Sequence, residues 1–165
     1  MVPKLSQAEI RESNIGCVCS EFQVNRGFGG KIAVRFLDAE LRVTDLTYQD
    51  LNFRSNQVAN LLHAGGFTIG EKAFIYLPKC VEIYEIFLGI LKAGLIAGTL
   101  FSSFGPEALF DRLSDSGASV VFTKKKMAAK LMRVKDQLPN LREIILIDSD
   151  DNLELCQKDY HQLLS

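Results

Sequence analysis

The chain has 165 residues, 47% of them apolar and 24% charged, with 19 basic side chains against 20 acidic ones and a net charge of -1 at pH 7. This profile excludes a disordered or collagen-like chain and is long enough to close a core. The near-neutral balance also excludes bulk attraction to nucleic acid or to an anionic membrane, so neither is expected as a partner.

Met1 to Ile15 mixes Lys4, Glu9, Arg11 and Glu12 with isolated apolar residues, and no continuous apolar core of an export signal is visible. Ser13 to Asn25 reads as a helix with Cys17, Val18 and Phe22 on one side. Gly27-Phe28-Gly29-Gly30 breaks it. Lys31 to Leu37 has strand composition, Asp38 to Asp45 is a polar turn, and Leu46-Thr47-Tyr48 opens the next element, which makes a small hairpin. Thr47 and Asp50 have the spacing of a capping box, Leu51, Ser55, Val58 and Leu62 follow on one helical face, and Gly65-Gly66 closes the helix.

Lys72 to Leu77 is a buried strand stopped by Pro78. A helix over Cys80 to Ala93 gathers Glu82, Glu85, Gly89 and Lys92 into one narrow wet stripe, and Gly94 ends it. The apolar run Ile86 to Phe101 is interrupted by Lys92 and is shorter than the about 20 residues that span a bilayer. Leu95 to Phe101 is a strand, and Pro106 starts a helix with Leu109, Phe110 and Leu113 on its apolar face and Gly117 at its end. Ala118 to Thr123 is a strand, Lys124 to Leu138 a helix stopped by Pro139, and Glu143 to Ile147 a last short strand. The tail from Ser149 is acidic, then weakly helical.

Alternating strands and helices from Lys72 to Asp148 predict an α/β fold: a doubly wound, mostly parallel sheet with helices on both faces, preceded by the N-terminal hairpin. One domain is expected over 1–165, with a lead-in at 1–30, the hairpin at 31–48, the α/β core at 49–148 and a tail at 149–165. Ligands of such sheets sit at the carboxyl ends of strands, here the loops after Leu77, Phe101, Thr123 and Asp148.

The residues themselves show no catalytic centre. The glycine cluster precedes a strand rather than a helix N-terminus, and the P-loop, dinucleotide and serine-hydrolase motifs are all missing. Cys17 and Cys19 form C-x-C rather than C-x-x-C, and with Cys80, Cys156, His63 and His161 scattered no metal site is expected. Scattered thiols point to a reducing, cytoplasmic compartment, and Cys80 reads as a buried structural thiol. The basic cluster Lys124, Lys125, Lys126, Lys130, Arg133 and Lys135 reads either as a solvated helix face or as a seat for a phosphate-bearing ligand. No aromatic residue interleaves it to stack nucleic-acid bases.

The strings Leu46-Thr47-Tyr48-Gln49-Asp50-Leu51, Ser55-Asn56-Gln57-Val58-Ala59-Asn60-Leu61-Leu62, Ile69-Gly70-Glu71-Lys72 and Tyr76-Leu77-Pro78 resemble the opening of AMP-forming acyl-CoA synthetases, the adenylate-forming superfamily. Leu88 to Gly94 is similar to a second signature of that superfamily, and Leu100 to Leu109 with Arg112-Leu113-Ser114-Asp115 resembles its acetyl-CoA synthetase branch. The resemblance runs collinearly over about residues 20 to 148 and implies an incomplete N-terminal subdomain of the adenylate-forming fold.

It further implies a ligase that joins a carboxylate and ATP into an acyl-adenylate and then transfers the acyl group to CoA, with ATP, Mg and CoA serving the full-length relative. Acetate or another short to medium acid is the expected substrate. The family's phosphate loop and catalytic lysine correspond to nothing up to Ser165. The chain alone is therefore expected to have no catalytic residues, no cofactor of its own and no activity, with the remainder of the same synthetase as its partner. Exposed apolar surface is expected to favour a homo-oligomer.

By resemblance, Ser102, Ser103, Phe104 and Gly105 lie beside the substrate, although the branch carries two glycines where Ser102 and Ser103 stand. Lys124, Lys125 and Lys126 contact the phosphates of CoA, although the branch uses arginines at other places. The alternative is a stand-alone, non-catalytic module of the same fold that binds a nucleotide-like ligand or a protein partner. A flavodoxin-like or receiver domain fits less well, because no acidic cluster follows an early strand.

Overall fold

The computed structural model describes residues 14–148 and 157–160. The readings made above for 1–13, for 149–156, Cys156 included, and for 161–165 lie outside the described residues. Two compact units divide the chain, one within Met1–Ala64 and Cys80–Gly94, the other within Gly65–Lys79 and Leu95–Ser165.

The first unit opens with helices α1 (Ile15–Val18) and α2 (Glu21–Gln23) and a π-type turn, Val24–Phe28, instead of one helix over Ser13 to Asn25. Ser20 makes the break. Its backbone leaves the helical region and its hydroxyl donates 2.7 Å to the Gly16 carbonyl. Asn14 caps α1, accepting from the Gly16 N–H at 2.9 Å, while its amide donates 2.7 Å to the Leu91 carbonyl. Gly27, at φ 84°, kinks the π-type turn from within by taking the left-handed region, so the glycine cluster acts as a turn ahead of a strand.

Strands β1 (Ile32–Leu37) and β2 (Val43–Thr47) form an antiparallel hairpin. Its turn ends at Arg42, three residues earlier than the polar composition suggests. Asp38 folds the turn on itself by accepting from the Glu40 and Arg42 N–H groups, and Arg35 grips Asp45 across the strands with two bonds of 2.8 Å.

Helix α3 (Tyr48–Ala64) starts at the expected capping box: the Asp50 N–H donates to Thr47 Oγ1 at 3.1 Å and the Thr47 N–H to Asp50 Oδ2 at 3.0 Å. Helix α4 (Glu82–Lys92) corrects the sequence reading. Its predicted wet stripe faces inward, onto α3. Glu85 is 2% exposed and pairs with Arg54 at 3.3 Å, and Lys92 donates to Asn52 Oδ1 at 2.9 Å and Asn56 Oδ1 at 2.8 Å. Gly89 lies against Val58, where a Cβ would collide. Glu85 and Lys92 can face inward because α3 supplies their partners, a complement that helical periodicity cannot reveal.

The second unit is a five-stranded parallel sheet in the order β4-β3-β5-β6-β7, made of β3 (Lys72–Tyr76), β4 (Ile96–Leu100), β5 (Val120–Thr123), β6 (Glu143–Leu146) and β7 (Gln157–Asp159). It has the expected α/β class and reverses its winding at β3. Strand β7 replaces the weak helix expected after Ser149: Gln157 to Asp159 pair in parallel with Ile144 to Leu146, a partner that is distant in sequence.

On one face Tyr76, Val121, Ile144 and Leu146 pack with Leu109 and Leu113 of α5 (Pro106–Ser116) and Ala128 and Leu131 of α6 (Lys125–Met132). The opposite face, with Ala73, Ile75, Val120, Phe122 and Ile145, is equally buried, and Tyr160 meets Phe122 edge-on at 6.4 Å. Burial on both faces accounts for the continuous apolar runs of these strands. Pro106 begins α5 and Gly117, at φ 65°, ends it, as the sequence suggests. Helix α6 stops at Met132 rather than Leu138, and a 3-10 turn, Lys135–Gln137, lets Val134 and Leu138 stay buried.

Candidate functional site

The sheet sets the place. Its order reverses between β3 and β5, and an open parallel sheet offers its ligand crevice at the carboxyl ends of strands on either side of such a reversal. Tyr76 and Thr123, the last residues of those strands, are register partners, and the buried Thr123 hydroxyl donates 2.8 Å to the Tyr76 carbonyl. The loop after β4 and the start of α6 flank this point.

The loop holds Ser102, Ser103, Phe104 and Gly105, and one carbonyl anchors it. The Tyr76 phenol donates 2.8 Å to the Phe104 oxygen and Lys130 Nζ donates 3.3 Å to the same atom. Burial pushes the Tyr76 phenol up, so it remains a donor at neutral pH. The Phe104 ring lies edge-on to Phe101 at 5.4 Å, with the Arg112 guanidinium 4.6 Å from its centroid. These contacts fix the backbone while Ser102 and Ser103 stay exposed and Phe101 is 73% exposed. Gly105, in extended conformation, leads into Pro106.

Lys124 is the half-buried N-cap of α6, and Lys125 and Lys126 are exposed on its first turn. Three cations at a helix N-terminus oppose the helix dipole, and no acidic residue stands in that turn. Asp148, from the end of β6, partly compensates: its Oδ1 accepts from the Lys125 N–H at 2.7 Å. What remains is a cationic helix start suited to an added anion. The lysine that touches the Ser102–Gly105 loop is Lys130, one turn further on, which sequence reasoning left in a generic basic cluster. Tyr76 was missed as well; its one signal was its place at a strand end before Pro78.

Elsewhere, an apolar cavity of about 420 Å³ lies inside the first unit, bordered by Cys19, Tyr48, Leu51, Tyr84, Phe87 and Leu88, and none of the sequence-derived site residues lines it. Burial lowers the Lys92 amine to about 8, against the opposing influence of Cys17 and Glu21. Cys17, Cys19 and Cys80 are thiols rather than disulfides. Among the described residues, no group of three or more His, Cys, Asp and Glu gathers to hold a metal ion. No helix among them is long and apolar enough to cross a membrane.

A family model described as AMP-binding enzyme matches residues 22–162. The chain belongs to the AMP-binding enzyme family. Similar members are the acetyl-coenzyme A synthetase of Bacillus subtilis (strain 168), 34% identical over 73% of this chain and 21% of its own length, and the 3-hydroxypropionyl-coenzyme A synthetase of Sulfurisphaera tokodaii, 40% identical over 47% of this chain and 12% of its own. Among solved structures, the acyl-CoA synthetase of Brucella canis superposes at a TM-score of 0.79 with 25% identity, over 98% of this chain and 30% of that one. An anthranilate CoA ligase solved with anthranoyl-AMP shares the fold at a TM-score of 0.67. This AMP-binding enzyme chain thus spans about a fifth or less of the two curated relatives named.

Proposed function

We propose that this chain forms part of an acyl-CoA synthetase that joins a short to medium carboxylic acid such as acetate to CoA, with ATP cleaved to AMP and pyrophosphate. Its own contribution is one wall of the CoA site. The observation that carries this reading is the pair of elements flanking the β3/β5 reversal: the anchored Ser102–Gly105 loop on one side and Lys124, Lys125 and Lys126 on the other. Family membership and the activities of the similar synthetases support it.

The lysines neutralise phosphates of CoA, and the exposed Phe101 and serines border the rest of that molecule. In adenylation the substrate carboxylate attacks the α-phosphate of ATP, a step that needs positive charge on the phosphates and both reactants held in place. On this reading the remainder of the synthetase supplies those roles and the chain by itself is inactive. Cys17, Cys19 and Cys80, none of them in a disulfide, fit a cytoplasmic setting.

Calorimetric titration of CoA into the 165-residue chain tests the assignment. Lys124→Ala, Lys125→Ala and Lys126→Ala together should weaken binding about tenfold or more, because charge-assisted contacts to phosphate are lost. Affinity should also fall as salt rises, from screening of the same contacts. Equal affinity for both proteins, or no CoA binding at all, overturns the role of the lysines.

A further inference from the structure

The two edges of the sheet differ in kind. Strand β7 is three residues long and reads Gln157-Lys158-Asp159, whereas β4 is five residues long and reads Ile96-Ala97-Gly98-Thr99-Leu100, with no charge and no proline. Natural sheets guard open edges with charges, prolines, bulges or short strands, and β4 has none of these.

Its hydrogen-bonding groups are arranged in two sets. The Ile96 N–H donates to the Glu71 carbonyl at 2.8 Å, toward β3. In a parallel ladder alternate residues point both backbone groups the same way, so Ile96, Gly98 and Leu100 bond inward, and Ala97 and Thr99 present N–H and C=O outward. Among the described residues neither has an outward main-chain partner. Thr99 is exposed, Ile96 is 55% exposed, and Ile69, two residues before Glu71, is 84% exposed.

We infer that β4 is a dimerisation edge, where two copies of this chain pair antiparallel about a two-fold axis at Gly98 and join their parallel sheets into one. The strand is self-complementary for this partner. Ala97 stands opposite the partner's Thr99, and Thr99 opposite the partner's Ala97, each pairing exchanging both main-chain bonds as a closely spaced antiparallel pair does. Gly98 faces the partner's Gly98 at the point where antiparallel strands come closest, and it brings no side chain there. It has none because the Phe74 ring lies over β4 at that position, where a Cβ would collide with it. Ile96, 55% exposed, lies opposite the partner's Leu100, a side chain 7% exposed at the edge of its own core, so the pairing sets Ile96 against that edge. The interface is isologous, as a closed two-fold dimer requires.

The test is the mass of the full 165-residue chain in solution, by sedimentation and light scattering, as concentration rises through the micromolar range. Growth from 18.4 kDa to twice that value is expected. Thr99→Pro deletes an outward N–H without touching the ladder to β3, a position where edge strands tolerate proline, and should weaken the dimer about tenfold or more. Ile96→Lys, at an already exposed side chain, should weaken it similarly by setting a charge against the partner's Leu100. Hydrogen exchange at the Ala97 and Thr99 amides should slow as the wild-type dimer forms. A wild-type chain that stays monomeric overturns the inference, and so does a dimer that survives both substitutions with exchange at these amides unchanged. The outcome is independent of CoA binding, so the two readings fail separately.

Discussion

Gly89 shows how much one residue without a side chain contributes. Helix α4 comes so close to α3 that a Cβ at Gly89 would collide with Val58 and sit 2.8 Å from the Ser55 carbonyl. Backbone cannot yield as a flexible side-chain tip can. Gly89→Ala should therefore destabilise the chain by about 2 kcal/mol despite the better helix propensity of alanine, as overpacking in a closed contact does. Urea denaturation would show this as a lower midpoint at unchanged slope, and an unchanged or higher midpoint would mean that the helices separate freely. The same close approach brings Glu85 to Arg54 and Lys92 to Asn52 and Asn56. Each of these polar groups is satisfied by α3, and none of the buried side-chain polar atoms among the described residues lacks a partner.

At the level of elements, the candidate site depends on how a strand, a loop and a helix meet. Tyr76 ends β3, Lys130 belongs to α6, and both donate to the Phe104 carbonyl in the loop between β4 and α5. Tyr76→Phe keeps the ring in its core and removes one of the two donors. Amide hydrogen exchange in the segment 101–105 should then rise several-fold, with little change in the strands. Faster exchange across the whole sheet would instead assign the phenol a general structural role. The elements were largely legible in the sequence. Pro106 and Gly117 bound α5, Thr47 and Asp50 open α3, and the apolar runs mark β3, β5 and β6. Less legible were features set by distant partners, including the end of α6, where Val134 and Leu138 stay buried after the helix has stopped, and the three residues of β7.

For the molecule as a whole, strand order decides which pieces can stand alone. β4 and β5 are bonded only through β3, which lies in the segment Gly65–Lys79, ahead of the helix that belongs to the other unit. A chain of residues 95–165 keeps four of the five strands but lacks the central pairing, so it should be unfolded. Amide resonances without dispersion and a far-ultraviolet spectrum without sheet signal would confirm this, and a folded product would show that β3 is dispensable to the rest. At the same scale, the chain spans 21% of the length of the Bacillus synthetase and 30% of the Brucella structure.

By itself the sequence determined the α/β class, the hairpin, the punctuation of most elements and the family resemblance. These are written in local signals: caps, prolines, left-handed glycines and runs of apolar residues act within a turn or a strand. Only the tertiary structure decided which face of α4 is buried, that Gln157 to Asp159 complete the sheet, and that Tyr76 and Lys130 hold the loop beside the lysines. The reason is physical. A polar side chain can be buried wherever a distant segment supplies its hydrogen-bond partner, and a short strand forms wherever an open ladder receives it. Neither condition leaves a mark in the residues next to it in the chain.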